Sequence, residues 1–304
     1  MLNLSEISKN IKGSIAEKEL LSRHTTYRIG GPCDLFVEVV SLNELRYLLS
    51  VCATENLDFH IIGRGSNILV GDEGIKGIVI HLSGEFSEVS FPGGSSVIAG
   101  AGCSLGALIM KCASRGLGGI EFLMGIPGSV GGAAVMNAGT RNGCFKDAVK
   151  AVTLMDYSGK ITRIPVSEIS FGYRKADFSA NTIVVSSEFY LKKEEKNVII
   201  KKLREAAVLR RASQPAGCMN AGCVFRNPDG DYAGRLIETA GLKKLKIGSA
   251  EVSAVHANFI NNTGSASAED VLDVIRKVKG IVAAKFGRKL DLEIKIWGRV
   301  KREI

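Results

Sequence analysis

A glycine-rich loop, Gly63-Arg64-Gly65-Ser66-Asn67, lies between two strand-like runs. Successive N–H groups in such a turn form a nest that binds anions, and the missing side chains let a diphosphate touch the backbone. It is not a dinucleotide fingerprint, because the third glycine of GxGxxG is absent and a strand follows where a helix is required. The loop therefore indicates phosphate binding, with a plain glycine-rich hairpin as the alternative.

A second glycine-rich segment runs from Gly125 to Gly139 and consists almost entirely of small residues. Such a stretch buries little side-chain area, so another group must pack against its backbone to offset the entropy of ordering it. A flat ligand would pack against the backbone in this way. The alternative is a pair of crowded turns flanking a short buried helix.

The run Gly102-Cys103-Ser104-Leu105-Gly106 matches the GxSxG nucleophile elbow of serine hydrolases, with a strand predicted before it and a helix after it. A hydrolase would need a base, and His256 follows at a plausible distance. Ser104 is equally suited to cap the following helix. We favour the cap and keep a serine hydrolase as the rival function.

Composition narrows the function classes. The 304 residues suffice for two or three domains, and a net charge of +9 with a pI near 9.2 favours phosphate-bearing ligands. Dense basic runs are short and not interleaved with aromatic residues, so we predict no nucleic-acid partner.

The seven cysteines are scattered without a CxxC pair, which predicts reduced thiols and no metal site. Without a signal-peptide pattern or a run of roughly 18 apolar residues, we predict a cytoplasmic protein with no membrane partner.

Short β-branched runs predict strands, and a few amphipathic runs predict helices. Strands are expected at 35–40, 59–62, 68–70, 77–81, 97–101, 149–156, 182–191 and 290–297. Helices are expected at 43–54 after a Ser41 cap, at 104–113, at 198–211, and from the Ser267 cap to a stop at Gly287.

Six separated motifs, in order, carry a resemblance to a known family. They are Thr26-Tyr27-Arg28-Ile29-Gly30-Gly31, Gly63-Arg64-Gly65-Ser66-Asn67, Gly125-Ile126-Pro127-Gly128, Phe171-Gly172-Tyr173-Arg174, Ala221-Gly222-Cys223-Val224-Phe225-Arg226-Asn227-Pro228 and Leu292-Glu293-Ile294. Together they resemble the UDP-N-acetylenolpyruvoylglucosamine reductases, in the more compact of that family's two classes. The two glycine segments also resemble the flavin domain of the vanillyl-alcohol-oxidase-like proteins.

The resemblance implies an α+β fold: a two-part FAD-binding domain of the vanillyl-alcohol-oxidase (PCMH) type at residues 1–196, split near residue 95, and a smaller α+β substrate-binding domain at 197–304. It implies bound FAD, NADPH as hydride donor and no obligatory protein partner. The reaction implied is reduction of UDP-N-acetylglucosamine enolpyruvate to UDP-N-acetylmuramate in peptidoglycan biosynthesis. The cofactor-binding residues implied are Arg28, Gly63, Arg64, Gly65, Ser66, Asn67, Gly125, Ile126, Pro127, Gly128, Val130, Gly131, Gly132, Ala133 and Asn137.

By the same resemblance, Arg174, Cys223 and Glu293 are catalytic, and Tyr173 and Asn227 contact the substrate. Arg174 would bind the substrate carboxylate, Glu293 would polarise the enolate, and Cys223 would donate the proton where the family more often has serine. From the residues alone, Glu293 is the outward residue of an alternating strand and Cys223 a small buried hydrophobe. A flavin-binding module without turnover is therefore a further alternative.

Overall fold

The computed structural model describes residues 4–300, and the chain divides into two compact units. Of the described residues, the first unit comprises 4–16, 35–63 and 77–209, and the second comprises 17–34, 64–76 and 210–300. These units differ from the predicted domains 1–196 and 197–304, whose residues 1–3 and 301–304 lie outside the described range. The segments 17–34 and 64–76 group with the C-terminal residues through bonds such as Gly71 N–H to the Trp297 carbonyl, at 2.9 Å.

Helices occupy seven stretches of residues 4–300. They are α1 (Leu4–Asn10), α2 (Leu42–Thr54), α3 (Leu105–Ser114), α4 (Val130–Val135), α5 (Lys196–Ser213), α6 (Ala233–Thr239) and α7 (Ala268–Phe286). The ends of α2 and α7 follow the predicted signals. The Ser41 hydroxyl accepts from Glu44 N–H, Ser267 and Asp270 form a capping box, and Gly287 ends α7 in the left-handed conformation.

The strands are short, as the density of glycine predicts. In chain order they are β1 (Ile15–Glu17), β2 (Cys33–Val39), β3 (Phe59–Ile62), β4 (Ile68–Val70), β5 (Ile75–Leu82), β6 (Val89–Gly93), β7 (Ser96–Gly100), β8 (Leu117–Gly118), β9 (Gly139–Thr140), β10 (Gly143–Cys144), β11 (Val149–Asp156), β12 (Ile161–Pro165), β13 (Ser170–Gly172), β14 (Lys175–Asp177), β15 (Thr182–Tyr190), β16 (Lys192–Lys193), β17 (Lys246–Ile247), β18 (Ala250–Val252), β19 (Ile260–Asn262) and β20 (Lys295–Trp297).

The first unit is built on an antiparallel sheet in the order β12-β11-β15-β7-β6 and a second sheet in the order β1-β2-β5-β3. Apolar residues of these strands pack with α2, α3 and α4 into one core. Helix α4 lies close to the backbone beside it, because a methyl group added at Gly131 would come within 2.9 Å of the Ala101 Cβ. At Gly131, glycine is therefore required by packing.

The second unit has its own core, formed around the apolar face of α7. That face contains Val271, Leu272, Ile275, Val278 and Val282, and it packs against the antiparallel sheet β17-β18-β19. Strand β20 pairs in parallel with β4, so Lys295 lies opposite Ile68 and Trp297 opposite Val70. This pairing joins the end of the chain to the strand that follows the first glycine loop.

Most predicted elements are confirmed within a residue or two of their ends. The strand predicted at 290–297 is wrong in its first part, since only Lys295–Trp297 belongs to a ladder. Residues before it meet another segment through a single bridge between Leu292 and Phe225. Helices α1 and α6, the β17-β18-β19 sheet and several further short strands, among them β6 and β12, were not predicted. Within residues 4–300, none of the helices has both the length and the apolar run needed to cross a bilayer.

Candidate active site

In the second unit the first glycine loop is held by two other motifs. Thr26 N–H donates to the Gly65 carbonyl at 3.1 Å, and the Asn67 side-chain amide donates to the Glu293 carbonyl at 3.2 Å. Lys295 N–H donates to the Asn67 carbonyl at 2.9 Å. Three of the six motifs, far apart in sequence, therefore meet along the loop.

Glycine at position 65 is required by the local backbone. Its φ is +59°, and a Cβ there would lie 2.1 Å from the His24 carbonyl oxygen and 2.7 Å from the Thr25 Cα. Arg28 also has a left-handed backbone, with φ at +56°, and its exposed guanidinium donates to the Arg23 carbonyl at 3.2 Å. Arg64 is exposed on the same loop. Arg64 thus supplies a cation on the predicted anion nest, and Arg28 lies two residues after Thr26, which bonds to the loop.

The segment that contains Cys223 lies next to Glu293. Glu293 N–H donates to the Val224 carbonyl at 2.8 Å, and the bridge between Phe225 and Leu292 continues the pairing. Glu293 is only 9% exposed, so its interpretation as an outward strand residue is wrong. Cys223 is half-buried, not fully buried as a core hydrophobe would be. The Asn227 side-chain oxygen accepts from Ala233 N–H at 3.1 Å and so holds the start of α6.

In the first unit the two glycine segments meet. A Cβ added at Gly63 would lie 2.5 Å from the Ser129 hydroxyl oxygen, and Ser129 caps α4 by accepting from Gly132 N–H. The side chains of Val130 and Ala133 are buried in the core, and Gly131 is buried with them. Of the predicted cofactor residues in α4, these three can reach a ligand only through their backbone.

The opposite side of α4 is open and almost bare. Gly125, Pro127 and Gly132 are exposed, Val135 is 47% exposed, and a Cβ added at Gly132 would meet only the Ser129 hydroxyl, at 3.5 Å. Ile126 and Gly128 beside them are partly exposed. Such a surface suits a planar ring system, which gains contact area where side chains do not intervene. The residues present therefore fit a flavin.

Arg174 is at the turn of the β13-β14 hairpin, with φ at +56°. Its Nη1 donates to the Gly139 carbonyl at 3.0 Å, so it is not the surface arginine that the sequence alone would suggest. Buried Asn137 fixes the same hairpin, because its amide donates to the Gly172 carbonyl at 3.0 Å and its oxygen accepts from Lys146 N–H at 3.1 Å. The exposed ring of Tyr173 has its centroid 5.4 Å from the Arg174 guanidinium carbon.

Asn258 was missed by the sequence analysis. It is 3% exposed and bonds to the backbone of Phe225 in both directions. Nothing in its sequence setting marks it, because Asn258 lies in a turn and asparagine is a common turn residue. Ser104 has the structural role that we favoured, since its hydroxyl caps α3 by accepting from Ala107 N–H.

Comparisons with known proteins agree with this geometry. Residues 33–165 match a family model described as FAD binding domain, and residues 214–297 match one described as UDP-N-acetylenolpyruvoylglucosamine reductase, C-terminal domain. UDP-N-acetylenolpyruvoylglucosamine reductase 2 of Symbiobacterium thermophilum is 44% identical over 94% of this chain and 93% of its own. The Moorella thermoacetica reductase is 43% identical over 96% of each chain. A crystal structure of UDP-N-acetylenolpyruvylglucosamine reductase from Thermus caldophilus has 38% identity and a TM-score of 0.82, covering 95% of this chain and all of that one.

The fold and the open glycine surface define a flavin-dependent oxidoreductase of the α+β class, as predicted. Within that class, the chain belongs to the UDP-N-acetylenolpyruvoylglucosamine reductase family.

Proposed function

We propose that this protein uses NADPH to reduce the enolpyruvyl ether of UDP-N-acetylglucosamine enolpyruvate to UDP-N-acetylmuramate, a step of peptidoglycan biosynthesis. The observation that carries the proposal is the backbone pairing of the Cys223 segment with Glu293, at 2.8 Å between Glu293 N and the Val224 oxygen. It brings two of the three residue types that the reaction needs into one part of the second unit. A cytoplasmic location and the absence of nucleic-acid, membrane and obligatory protein partners stay predictions.

The chemistry divides between the cofactor and the chain. When bound, FAD would supply the transfer of hydride from NADPH to the terminal vinyl carbon of the substrate. Negative charge then develops at the carbon that bears the carboxylate, and one proton must be added there. The chain has to stabilise that charge and supply the proton.

Arg174 suits the first task. A guanidinium can donate two parallel hydrogen bonds to a carboxylate, and the bond from Nη1 to Gly139 restricts its orientation. Buried Glu293 is assigned to polarise the developing enolate, and the Cys223 thiol to hold the proton at Sγ and deliver it to carbon. Tyr173 and Asn227 are assigned to substrate contacts, and the cofactor residues predicted from the sequence keep that role in the proposal.

Single-turnover kinetics test these assignments. In Arg174→Ala and Glu293→Gln, flavin reduction by NADPH should stay within about twofold of wild type, because neither charge is needed until the enolpyruvyl substrate reacts. Flavin reoxidation by the enolpyruvyl sugar should slow by about 10²-fold or more, as expected when an electrostatic stabiliser of the transition state is removed. An equal loss in both half-reactions would mean that these residues are structural.

The two rival functions predict different results for the wild-type protein and for the Ser104→Ala variant. A flavin-binding module would show no reoxidation by the sugar in the wild-type protein. A serine hydrolase would lose its activity in Ser104→Ala, whereas the reductase should retain its turnover in that variant because Ser104 caps α3.

A further inference from the structure

The segment from Val224 to Arg226 is fixed along both of its edges. On one edge, Glu293 N–H donates to the Val224 carbonyl and Arg226 N–H donates to the Asp291 carbonyl, each at 2.8 Å. On the other edge it is the Asn258 side chain, and not a regular strand, that bonds to the segment. Because Cys223 directly precedes this segment, the direction of its side chain depends on both edges.

Asn258 imitates a strand partner with its side chain. Phe225 N–H donates to the Asn258 Oδ1 at 2.9 Å, and the Asn258 Nδ2 donates back to the Phe225 carbonyl at 2.8 Å. Val224 N–H also donates to the Asn258 main-chain carbonyl at 2.9 Å. The two side-chain bonds close a ring of the kind that two antiparallel strands form.

The position of Asn258 is itself determined by its neighbours. Its N–H donates to the His256 Nδ1 at 3.2 Å, and the Ser253 hydroxyl accepts from Val255 N–H and His256 N–H in the preceding turn. Ser253 N–H donates to the Phe259 carbonyl at 2.8 Å. The amide therefore has little freedom to follow the Cys223 segment if that segment moves.

Both bonded groups of Phe225 are deeply buried. Phe225 is 1% exposed and Asn258 is 3% exposed, so water cannot replace the amide when it is removed. A donor–acceptor pair this well shielded is costly to lose and is suited to holding a segment in one position.

We propose that Asn258 is the positioning residue of the proton donor: its amide fixes the Cys223 segment so that the thiol faces the reacting carbon in register with Glu293. It touches neither substrate nor cofactor and acts through the Phe225 backbone. This inference rests on the proposed function for its effect on turnover, but its effect on the Cys223 thiol is independent of that function.

The test compares Asn258→Asp with Asn261→Asp in the holoenzyme. Aspartate at 258 keeps the acceptor but loses the donor to the Phe225 carbonyl, which it would face with an oxygen. Asn261 is a matched control three residues away, because its side chain accepts from the Asn220 amide through an oxygen that aspartate retains. Asn258→Gln is the milder second variant, since it keeps both the donor and the acceptor but displaces them by one methylene.

Two readouts are measured. The first is the rate of each half-reaction. In Asn258→Asp, flavin reduction by NADPH should stay within about twofold of wild type. Flavin reoxidation by the enolpyruvyl sugar should slow by about 10²-fold, the lower end of the contribution of a general acid. The second is the rate at which iodoacetamide alkylates Cys223, followed by mass spectrometry with exposed Cys218 as internal reference. The ratio of the two rates should change at least about fivefold in Asn258→Asp, less in Asn258→Gln, and not in Asn261→Asp.

The outcomes separate the two proposals. A changed alkylation ratio with unchanged reoxidation supports positioning by Asn258 and rejects Cys223 as the donor. An unchanged ratio in both Asn258 variants overturns the inference, whatever the kinetics show. If Asn258→Asp does not fold, Asn258→Gln decides alone, and an equal fall of both half-reactions in it would show a purely structural role.

Discussion

At the scale of single residues, the seven cysteines differ sharply in environment. Burial raises the pKa of Cys112 to about 12 and those of Cys33 and Cys52 to about 11. Burial, with the Asp147 carboxylate, also raises the pKa of Cys144. Cys218 is exposed and Cys223 half-buried. Because the thiolate is the form that reacts, Cys218 and Cys223 are the two thiols expected to be alkylated first near neutral pH.

The departure from serine at position 223 gives the first prediction. Cys223→Ala should slow flavin reoxidation by the sugar by about 10²–10⁴-fold, the usual contribution of a general acid, while NADPH oxidation continues. Stopped-flow absorbance of the flavin follows the two half-reactions separately.

The serine variant is the control for this prediction. Cys223→Ser should keep substantial activity, since a hydroxyl can also donate a proton. Iodoacetamide should inactivate the wild type and spare Cys223→Ser. If Cys223→Ala reoxidises at the wild-type rate, then the proton comes from water or from another residue.

At the scale of elements, the glycine segments give a second prediction, because the backbone excludes a side chain at some of their positions and leaves room for one at others. Gly65→Val should destabilise the second unit and abolish FAD binding, since its Cβ would overlap the His24 backbone at 2.1 Å and its φ is positive. Gly132→Ala should fold normally, because its Cβ has room at 3.5 Å from Ser129. Bound FAD per protein, measured by absorbance after release, should be near zero in the first variant.

Gly132→Leu completes the comparison. It adds bulk to the open side of α4 without touching the core, so it should lower the affinity for FAD while circular dichroism and thermal unfolding of the apoprotein stay close to those of wild type. Full FAD occupancy in Gly132→Leu would exclude the exposed side of α4 as the flavin surface.

His256 gives a third prediction at this scale. Burial lowers its pKa, and nearby Lys243 lowers it further, so the ring is neutral at pH 7 and its Nδ1 accepts from Asn258 N–H. The unfolded chain binds the proton more readily than the folded chain. Stability is therefore full above about pH 6.5, the ordinary value for histidine, and is lost as the pH falls toward the lowered folded value.

His256→Asn should reduce this acid loss, because its side-chain oxygen can still accept from Asn258 N–H and does not titrate. The measurement is urea unfolding at several pH values, monitored by the fluorescence of Trp297, the single tryptophan, which lies in β20 of the second unit. His60, in the first unit, has a pKa that burial also lowers, so some pH dependence should remain in the variant. A slope identical to wild type would show that His256 does not titrate with folding.

How far the sequence predicts the structure depends on whether a signal is local. The Ser41 cap of α2 and the capping box and Gly287 stop of α7 are local, and the structure has them where they were predicted. That only the last part of 290–297 forms a strand was not predictable, because the pairing of Leu292 with Phe225 joins residues far apart in sequence. Burial of Glu293 and the role of Asn258 were missed for the same reason, since both depend on partners that only the folded chain brings close.

At the scale of the whole molecule, each unit has a core of its own, and the predicted cofactor residues are divided between them. Gly63 and the segment from Gly125 to Asn137 belong to the first unit, and Arg28 with Arg64–Asn67 belongs to the second. Arg174 likewise belongs to the first unit, whereas Cys223 and Glu293 belong to the second. The effect of FAD binding is therefore tested on each unit by itself, because residues that bind the cofactor should make their own unit more stable.

The last prediction follows from that division. A ligand that binds only the folded state at 100 times its Kd stabilises a protein by about 2.7 kcal/mol, which for a chain of this size raises the Tm by roughly 5 °C. FAD added to the apoprotein should therefore raise the Tm of the whole chain, followed by far-UV circular dichroism, and that of the second unit, followed by Trp297 fluorescence. FMN at the same concentration should raise neither by more than about 1 °C, because it lacks the diphosphate that the Arg64–Asn67 nest is predicted to bind. A rise in Tm with FMN equal to that with FAD would contradict the diphosphate role of the loop, and an FAD-dependent rise that is absent from the Trp297 fluorescence would mean that the cofactor does not stabilise the second unit.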